Sequence, residues 1–185
     1  MNLRLFVAAA VIALHGCASP PPHSPSKGPG LVPVEAAGDY VHQPSGLVFP
    51  AQIDQYRRMS LFRGSANTQH LTVGYAGGTA ECLAAITMFI DPVSGSIDEA
   101  YARATAEVQE AFGTAVLERE ASHPRLASRF ADYLVEDRRL QLVVEEAKPG
   151  WVLKYRVIFP AKCLETPMFV GGFFQQFAAR NKLGQ

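Results

Sequence analysis

Three cysteines and five histidines supply the most reactive side chains in this 185-residue sequence. The cysteines are Cys17, Cys82 and Cys163, and they include no Cys-x-x-Cys pair. The histidines are scattered along the chain, and no two of them have the spacing of a metal site on a helix. The spacing therefore predicts no structural metal, and the chemistry of the three thiols depends on the compartment in which the protein resides.

The chain begins with a segment typical of an export signal. Arg4 is followed by an apolar run from Leu5 to Leu14, which is too short to span a bilayer with stable ends. One interpretation is an ordinary signal peptide cleaved after Ala18, with Gly16 as a second small residue near the cleavage site. That processing would release a soluble protein.

The sequence LHGC at residues 14–17 supports a different interpretation. It resembles the lipobox of bacterial lipoproteins, in which the cysteine becomes the first residue of the mature chain and carries the acyl chains. The resemblance implies a lipoprotein signal peptide at residues 1–16 and stable anchoring through acyl chains, such as palmitate, on Cys17. Ala18 rather than Asp follows the cysteine. In proteobacterial lipoproteins this favours sorting to the inner leaflet of the outer membrane, facing the periplasm.

Residues 17–38 are predicted to form the lipid anchor and a proline-rich tether, and residues 39–185 a single α+β domain. Six prolines lie between Ala18 and Gly38. Each fixes φ and lacks a backbone donor, which favours an extended chain over a packed element. At about 3 Å per residue the tether would reach ~60 Å from the membrane. A proline-rich ligand for a binding groove is the alternative interpretation.

Charge and hydropathy exclude several classes of protein. The 17 basic and 17 acidic residues give a formal net charge of zero, which disfavours a nucleic-acid-binding protein that relies on bulk positive charge. Hydrophobic residues make up 48% of the chain, enough to close a core. The single long apolar run lies at the N-terminus, so a multi-span membrane protein is excluded.

Alternating apolar residues predict most of the β-strands. Residues 82–90 are apolar on both faces, as expected for a strand in the middle of a covered sheet. Residues 126–136 fit a strand or a helix equally well. The strand candidates are residues 47–49, 56–62, 71–75, 82–90, 139–144 and 151–159.

Two helices are predicted from their capping residues. Ser96 and Glu99 form a capping-box pattern that opens a long helix, which should end near Glu120. Thr166 as N-cap and Pro167 at the first helical position open a C-terminal helix. Its aromatic stripe is interpreted as core packing, with contact to a membrane surface as the alternative. The stripe consists of Phe169, Phe173, Phe174 and Phe177.

These elements predict an α+β fold, in which an antiparallel sheet has the long helix and the C-terminal helix packed on its faces. The order of elements is similar to the PsbP-like α/β fold. GLVFP at residues 46–50 and GWVLKYRVIFPA at residues 150–161 carry this likeness. The pattern WxxKYRxxxPA at residues 151–161 also resembles a family of uncharacterised exported bacterial lipoproteins. Neither resemblance implies an activity.

Cys82 and Cys163 remain as thiols if Cys17 is lipidated, and the periplasm is oxidising. Cys82 begins the predicted central strand, and Cys163 lies just past the end of the strand at residues 151–159. If these strands are antiparallel neighbours, the two thiols fall within bonding distance. This predicts a Cys82–Cys163 disulfide, with two separate buried thiols as the alternative.

Lys154 and Arg156 lie on the same face of the strand at residues 151–159. They predict a possible binding face for an anionic component of the envelope. Ordinary solvated charges on a strand face are the alternative, since the net charge of the chain is zero.

No sequence motif of a known catalytic class is present. GxSxG, Walker and GxGxxG motifs are missing, and the adjacent Glu145 and Glu146 point to opposite faces of a strand, so they cannot act as a paired acid and base. We therefore expect a membrane-anchored periplasmic lipoprotein that works as a binding or envelope-structural module, with no catalytic residues and no cofactor. Its expected partners are the lipid membrane and another envelope protein, not nucleic acid. An enzyme or enzyme accessory with a dispersed, motif-free site is the alternative.

Overall fold

The chain is organised around one large antiparallel sheet. The computed structural model describes residues 30–123 and 128–183. The strands are β1 (Leu31–Pro33), β2 (Tyr40–His42), β3 (Leu47–Phe49), β4 (Gln52–Ile53), β5 (Tyr56–Gly64), β6 (Leu71–Gly78), β7 (Leu83–Pro92), β8 (Val116–His123), β9 (Ser128–Val135), β10 (Arg138–Lys148) and β11 (Trp151–Pro160). The helices are α1 (Ile97–Ala111) and α2 (Thr166–Asn181).

The sheet has nine strands, and its main path runs in the order β1-β5-β6-β7-β11-β10-β9-β8. β4 pairs with β5 beside this path, and β2 and β3 form a separate two-stranded sheet. The pairs β5–β6, β6–β7, β8–β9, β9–β10 and β10–β11 join strands that are consecutive in sequence. Two pairs join strands that are not consecutive: β1 with β5, and β7 with β11, which joins the two halves of the sheet.

Two apolar cores lie on the two faces of the sheet. Side chains along β11 alternate between them, because successive residues of a strand point to opposite faces. Leu153, Tyr155 and Val157 belong to the core beneath α2, whereas Val152 and Ile158 belong to the core beneath α1.

Each helix covers only part of one face. α1 packs mainly against β9, β10 and β11. α2 lies beside β3 and β4, and its Phe173 packs edge-on against Tyr56 of β5 and Tyr75 of β6. On the α1 side, β6 and β7 are therefore left facing an open cleft rather than a helix.

The α+β class predicted from the sequence is wrong. Half of the described residues lie in strands and 21% lie in helices, so the fold is a mostly antiparallel β-sheet that carries two helices. Part of the difference comes from the long helix predicted to reach Glu120. That helix ends at Ala111, because Gly113 and Thr114 form a turn, and the chain then continues as β8. The ambiguous segment at residues 126–136 contributes another strand, β9.

The helix starts follow local signals. The capping box of Ser96 and Glu99 is present at the start of α1, which confirms that prediction. The predicted N-cap of α2 is wrong by one residue. Glu165 occupies that position and Thr166 is the first helical residue.

The aromatic stripe of α2 is split between core and surface. Phe173 and Phe177 are buried in the core, and Phe174 stacks on Tyr155 with ring centres 3.9 Å apart. Phe169 is exposed. Core packing is therefore the role of the buried part of the stripe.

The sheet begins within the segment predicted to be the tether. Leu31–Pro33 pairs with β5, so residues 18–29 are what separates Cys17 from the first described residue. At about 3 Å per residue this shorter segment reaches ~40 Å when fully extended. The predicted signal peptide and the lipidation site Cys17 lie outside the described residues.

Candidate functional site

Lys154 and Arg156 lie side by side on β11, on the sheet face that α1 partly covers. The intervening Tyr155 belongs to the opposite core. Across the β7–β11 pair, Lys154 lies opposite Phe89 and Arg156 lies opposite Thr87. The environment of both cations is therefore set by β7 on one side and by α1 above.

Glu107 on α1 neutralises both cations. Its carboxylate accepts hydrogen bonds from Lys154 Nζ at 3.3 Å and from Arg156 Nη2 at 2.6 Å. Lys154 Nζ also lies 3.5 Å from Asp91 Oδ2. The side chains of Lys154 and Arg156 are 13% and 15% exposed, against 29% for Asp91 and 44% for Glu107. The cations lie beneath the carboxylates, so Lys154 and Arg156 do not form an unpaired basic surface.

The charge of Arg156 is supported by Glu107. Burial lowers the pKa of the Arg156 guanidinium, and the Glu107 carboxylate opposes that effect. The Arg156 Nε atom is also buried and has no hydrogen-bond partner among the described residues. Removal of Glu107 would leave a second part of the same guanidinium unpaired. A buried unpaired donor costs about 1–3 kcal/mol.

Asp91, near the end of β7, also contacts His70. His70 Nδ1 and Asp91 Oδ1 form a hydrogen bond, and the His70 side chain is 46% exposed. A carboxylate on one ring nitrogen orients an imidazole for proton transfer at the other nitrogen. No hydroxyl or thiol of the described residues hydrogen-bonds to this ring. The pair could therefore exchange a proton with solvent water or with a group that a ligand supplies.

Phe89 supplies an aromatic surface beneath these charges. Lys154 Nζ lies 5.3 Å from the centre of the Phe89 ring, and Arg156 Cζ lies 5.1 Å from it. Both distances are within the range of cation–π attraction. On its other side, Phe89 pairs with Thr72 of β6.

Two cavities meet at these residues. One of about 270 Å³ lies between the first half of α1 and the ends of β7 and β11. The other, of about 530 Å³, extends over Thr72 and Phe89 to the loop that follows β5. Both are lined by His70, Asp91, Glu107 and Lys154. We name this region the charged cleft and define it by His70, Asp91, Glu107, Lys154 and Arg156.

The sequence indicated only the two cations of the charged cleft. Nothing in the sequence connected Glu107 to β11. His70 and Asp91 were not identified as site residues. The residues come from the loop before β6, from β7, from α1 and from β11, so no local spacing links them.

The structure joins Cys82 and Cys163 in a disulfide, with their Cα atoms 5.6 Å apart and a sequence separation of 81. The antiparallel pairing of β7 with β11 brings the start of β7 next to the end of β11, where Ala85 lies opposite Ile158. Each cysteine lies just beyond its strand at that end. The disulfide is remote from the charged cleft along both strands.

In residues 30–123 and 128–183, no group of three or more His, Cys, Asp or Glu side chains could hold a metal ion. Neither described helix is long and apolar enough to cross a membrane.

Comparison of the chain with protein-family models, with curated proteins and with solved structures gives no match in any of the three. The charged cleft is therefore interpreted from its own geometry.

Proposed function

We propose that the chain is a lipid-anchored binding module of the bacterial cell envelope, held at the inner leaflet of the outer membrane with its charged cleft in the periplasm. The observation that carries the proposal is the LHGC sequence after an apolar leader, with Cys17 as the residue that is lipidated. The sheet begins only 14 residues later, at Leu31. The anchor therefore keeps the cleft within tens of ångströms of the membrane.

The disulfide supports an exported location independently of the leader. Disulfides persist in oxidising compartments such as the periplasm and are rare in the reducing cytosol. Cys82 and Cys163 are joined across the sheet, which is the state expected after export.

The charged cleft supports binding. Its polar groups are held by one another rather than free to rotate, because Glu107 contacts two cations and Asp91 contacts Lys154 and His70. Polar groups that are fixed before a ligand arrives lose less conformational entropy on binding. A cavity lined by an aromatic ring and a few fixed polar groups is typical of small-molecule sites.

Mass spectrometry of the protein purified from bacterial membranes tests the anchor. The N-terminal residue should be Cys17 carrying acyl chains, and Cys17→Ala should lose the lipid mass and leave the membrane fraction. Ser19→Ala is the matched control and should behave as wild type. An intact leader, or an unmodified Cys17 in the mature protein, contradicts the proposal.

Crosslinking in intact cells tests the binding role. We expect an adduct that is formed by the wild-type protein and reduced in both Cys17→Ala and Glu107→Ala. An adduct that is unchanged in Glu107→Ala would remove the charged cleft from the proposal without affecting the anchor.

A hydrolytic enzyme is the second candidate, and the His70–Asp91 hydrogen bond is the observation that favours it. Hydrolysis of p-nitrophenyl acetate by the purified protein, lost in His70→Ala, would support a water molecule activated by this pair. A wild-type protein without this activity contradicts that mechanism.

A further inference from the structure

The order of exposure in the charged cleft determines what a ligand meets first. The groups nearest solvent are the Glu107 and Asp91 carboxylates and the His70 imidazole, while Lys154 and Arg156 lie beneath them. An ionised carboxylate only accepts hydrogen bonds. A ligand that fits this surface must therefore bring O–H or N–H donors.

Charge balance argues against an ionic ligand. The two carboxylates are matched by two cations, so neither sign is attracted by an excess charge. An anion would have to displace Glu107 from Lys154 and Arg156. A cation would have to share the carboxylates with the two cations already bound to them, at the cost of like-charge repulsion. A neutral hydroxyl can donate to a carboxylate while these ion pairs remain intact.

The floor of the larger cavity is suited to a flat, partly apolar ligand. Phe89 and Thr72 lie next to each other on β7 and β6, and both line this cavity. Asn67, in the loop after β5, lines the cavity as well. Arg103 lines only the smaller cavity. A volume of about 530 Å³ is within the usual size range of small-molecule sites. A sugar ring presents C–H groups on its face and hydroxyls at its edge, which matches an aromatic floor surrounded by carboxylates.

We propose that the larger cavity of the charged cleft binds a neutral saccharide, with Glu107 and Asp91 accepting hydrogen bonds from its hydroxyls and with the part of Phe89 that lines the cavity in contact with the sugar ring. This inference rests on the proposed binding function of the cleft and specifies its ligand class.

Calorimetric titration of the mature lipidated protein in detergent tests the inference with three tetrasaccharides. These are the neutral N-acetylglucosamine tetramer, the cationic glucosamine tetramer and the anionic galacturonic acid tetramer. We expect the neutral tetramer to bind at least about ten-fold more tightly than either charged one. Tighter binding of a charged tetramer overturns the inference.

Variants locate the bound sugar. Glu107→Gln should weaken binding of the neutral tetramer by about ten-fold, because an amide is a weaker acceptor than a carboxylate. Glu110→Gln, on an exposed position of the same helix, should leave the affinity unchanged. Phe89→Leu keeps an apolar side chain and retains the charged groups, yet it removes the ring and should also weaken binding. Binding that is equal in Glu107→Gln, Phe89→Leu and wild type places the sugar elsewhere and overturns the inference.

The outcomes separate this inference from the proposed anchor. If Cys17 carries lipid and none of the three tetramers binds, the saccharide inference is overturned while the anchored location stands. If the neutral tetramer binds and Cys17 is unmodified, the anchor fails and the ligand class is supported.

Discussion

Arg156 on β11 and Glu107 on α1 face each other across the edge of the covered half of the sheet, with Arg156 Nη2 donating to Glu107 Oε2 at 2.6 Å. The same carboxylate holds Lys154. One residue of the helix therefore fixes two largely buried cations of the sheet, and it lies at the point where the helix stops covering the sheet and the cleft begins.

Glu107→Ala should destabilise the protein by about 1–3 kcal/mol, because it leaves two mostly buried cations without their carboxylate. Half-exposure of Glu107 keeps the expected loss below that of a fully buried pair. The midpoint of urea unfolding measures the change. Glu110→Ala is the matched control and should lie within about 0.5 kcal/mol of wild type. Equal losses in the two variants would show that the ion pairs of Glu107 are not responsible.

Removal of the disulfide should cost about 2–4 kcal/mol, because the 81-residue separation between Cys82 and Cys163 leaves a long loop unconstrained in the unfolded chain. The double variant Cys82→Ala/Cys163→Ala should unfold at a lower urea concentration than wild type. Added reductant should shift wild type towards the variant and leave the variant unchanged. A wild-type midpoint equal to that of the double variant under oxidising conditions would contradict a stabilising cross-link.

Glu145 should make stability fall as pH rises from about 4.5 to about 7. Burial raises the pKa of this carboxyl from 4.5 to about 7, so the folded protein binds more protons than the unfolded chain in that window. The full penalty for the charged form is therefore present above pH 7 and absent below pH 4.5. Glu145→Gln removes the titrating group, and it should gain about 1–3 kcal/mol relative to wild type at pH 8 but little at pH 4.

Urea unfolding of both proteins at pH 4, 6 and 8 measures the Glu145 effect. Glu146→Gln is the adjacent control on the opposite face of β10, where the side chain is exposed. It should preserve the pH dependence of wild type. A Glu145→Gln variant with the same pH dependence as wild type would show that Glu145 is not the responsible group.

Ala18→Asp should move the lipidated protein from the outer to the inner membrane, because an aspartate directly after the lipidated cysteine opposes outer-membrane sorting in the proteobacterial lipoproteins that the leader resembles. Sucrose-gradient fractionation measures the location, and the lipid mass on Cys17 should be unchanged. Ala18→Ser is the control and should stay in the outer membrane. Wild-type protein in the inner membrane would contradict the proposed location.

Local signals in the sequence were sufficient for several elements. The alternation of residues 151–159 predicted β11 with Leu153 and Tyr155 on one face and Lys154 and Arg156 on the other, and the structure confirms this strand. The capping box predicted the start of α1. In these cases the signal and the element lie within a few residues of each other, so no distant contact was needed to predict them.

A bulge shows where a strand pattern fails. Simple alternation along β5 places Arg57 and Leu61 on one face, opposite Tyr56. The register of β5 against β6 shifts between Arg58 and Ser60, and both Tyr56 and Leu61 are buried in the core beneath α2. An extra residue in one strand makes every later side chain of that strand point to the opposite face of the sheet. The extra residue can be recognised only once the partner strand is known.

By itself, the sequence determined the apolar leader with Cys17, the proline-rich segment after it, the alternating strands and the capped start of α1, because each depends on residues that are close together in the chain. Tertiary structure alone decided that the fold is mostly β and that His70, Asp91 and Glu107 gather around Lys154 and Arg156. Those outcomes depend on the pairing of β6 with β7 and of β7 with β11, and on where α1 lies across the sheet. Such contacts join residues far apart in sequence, and no short-range pattern encodes them.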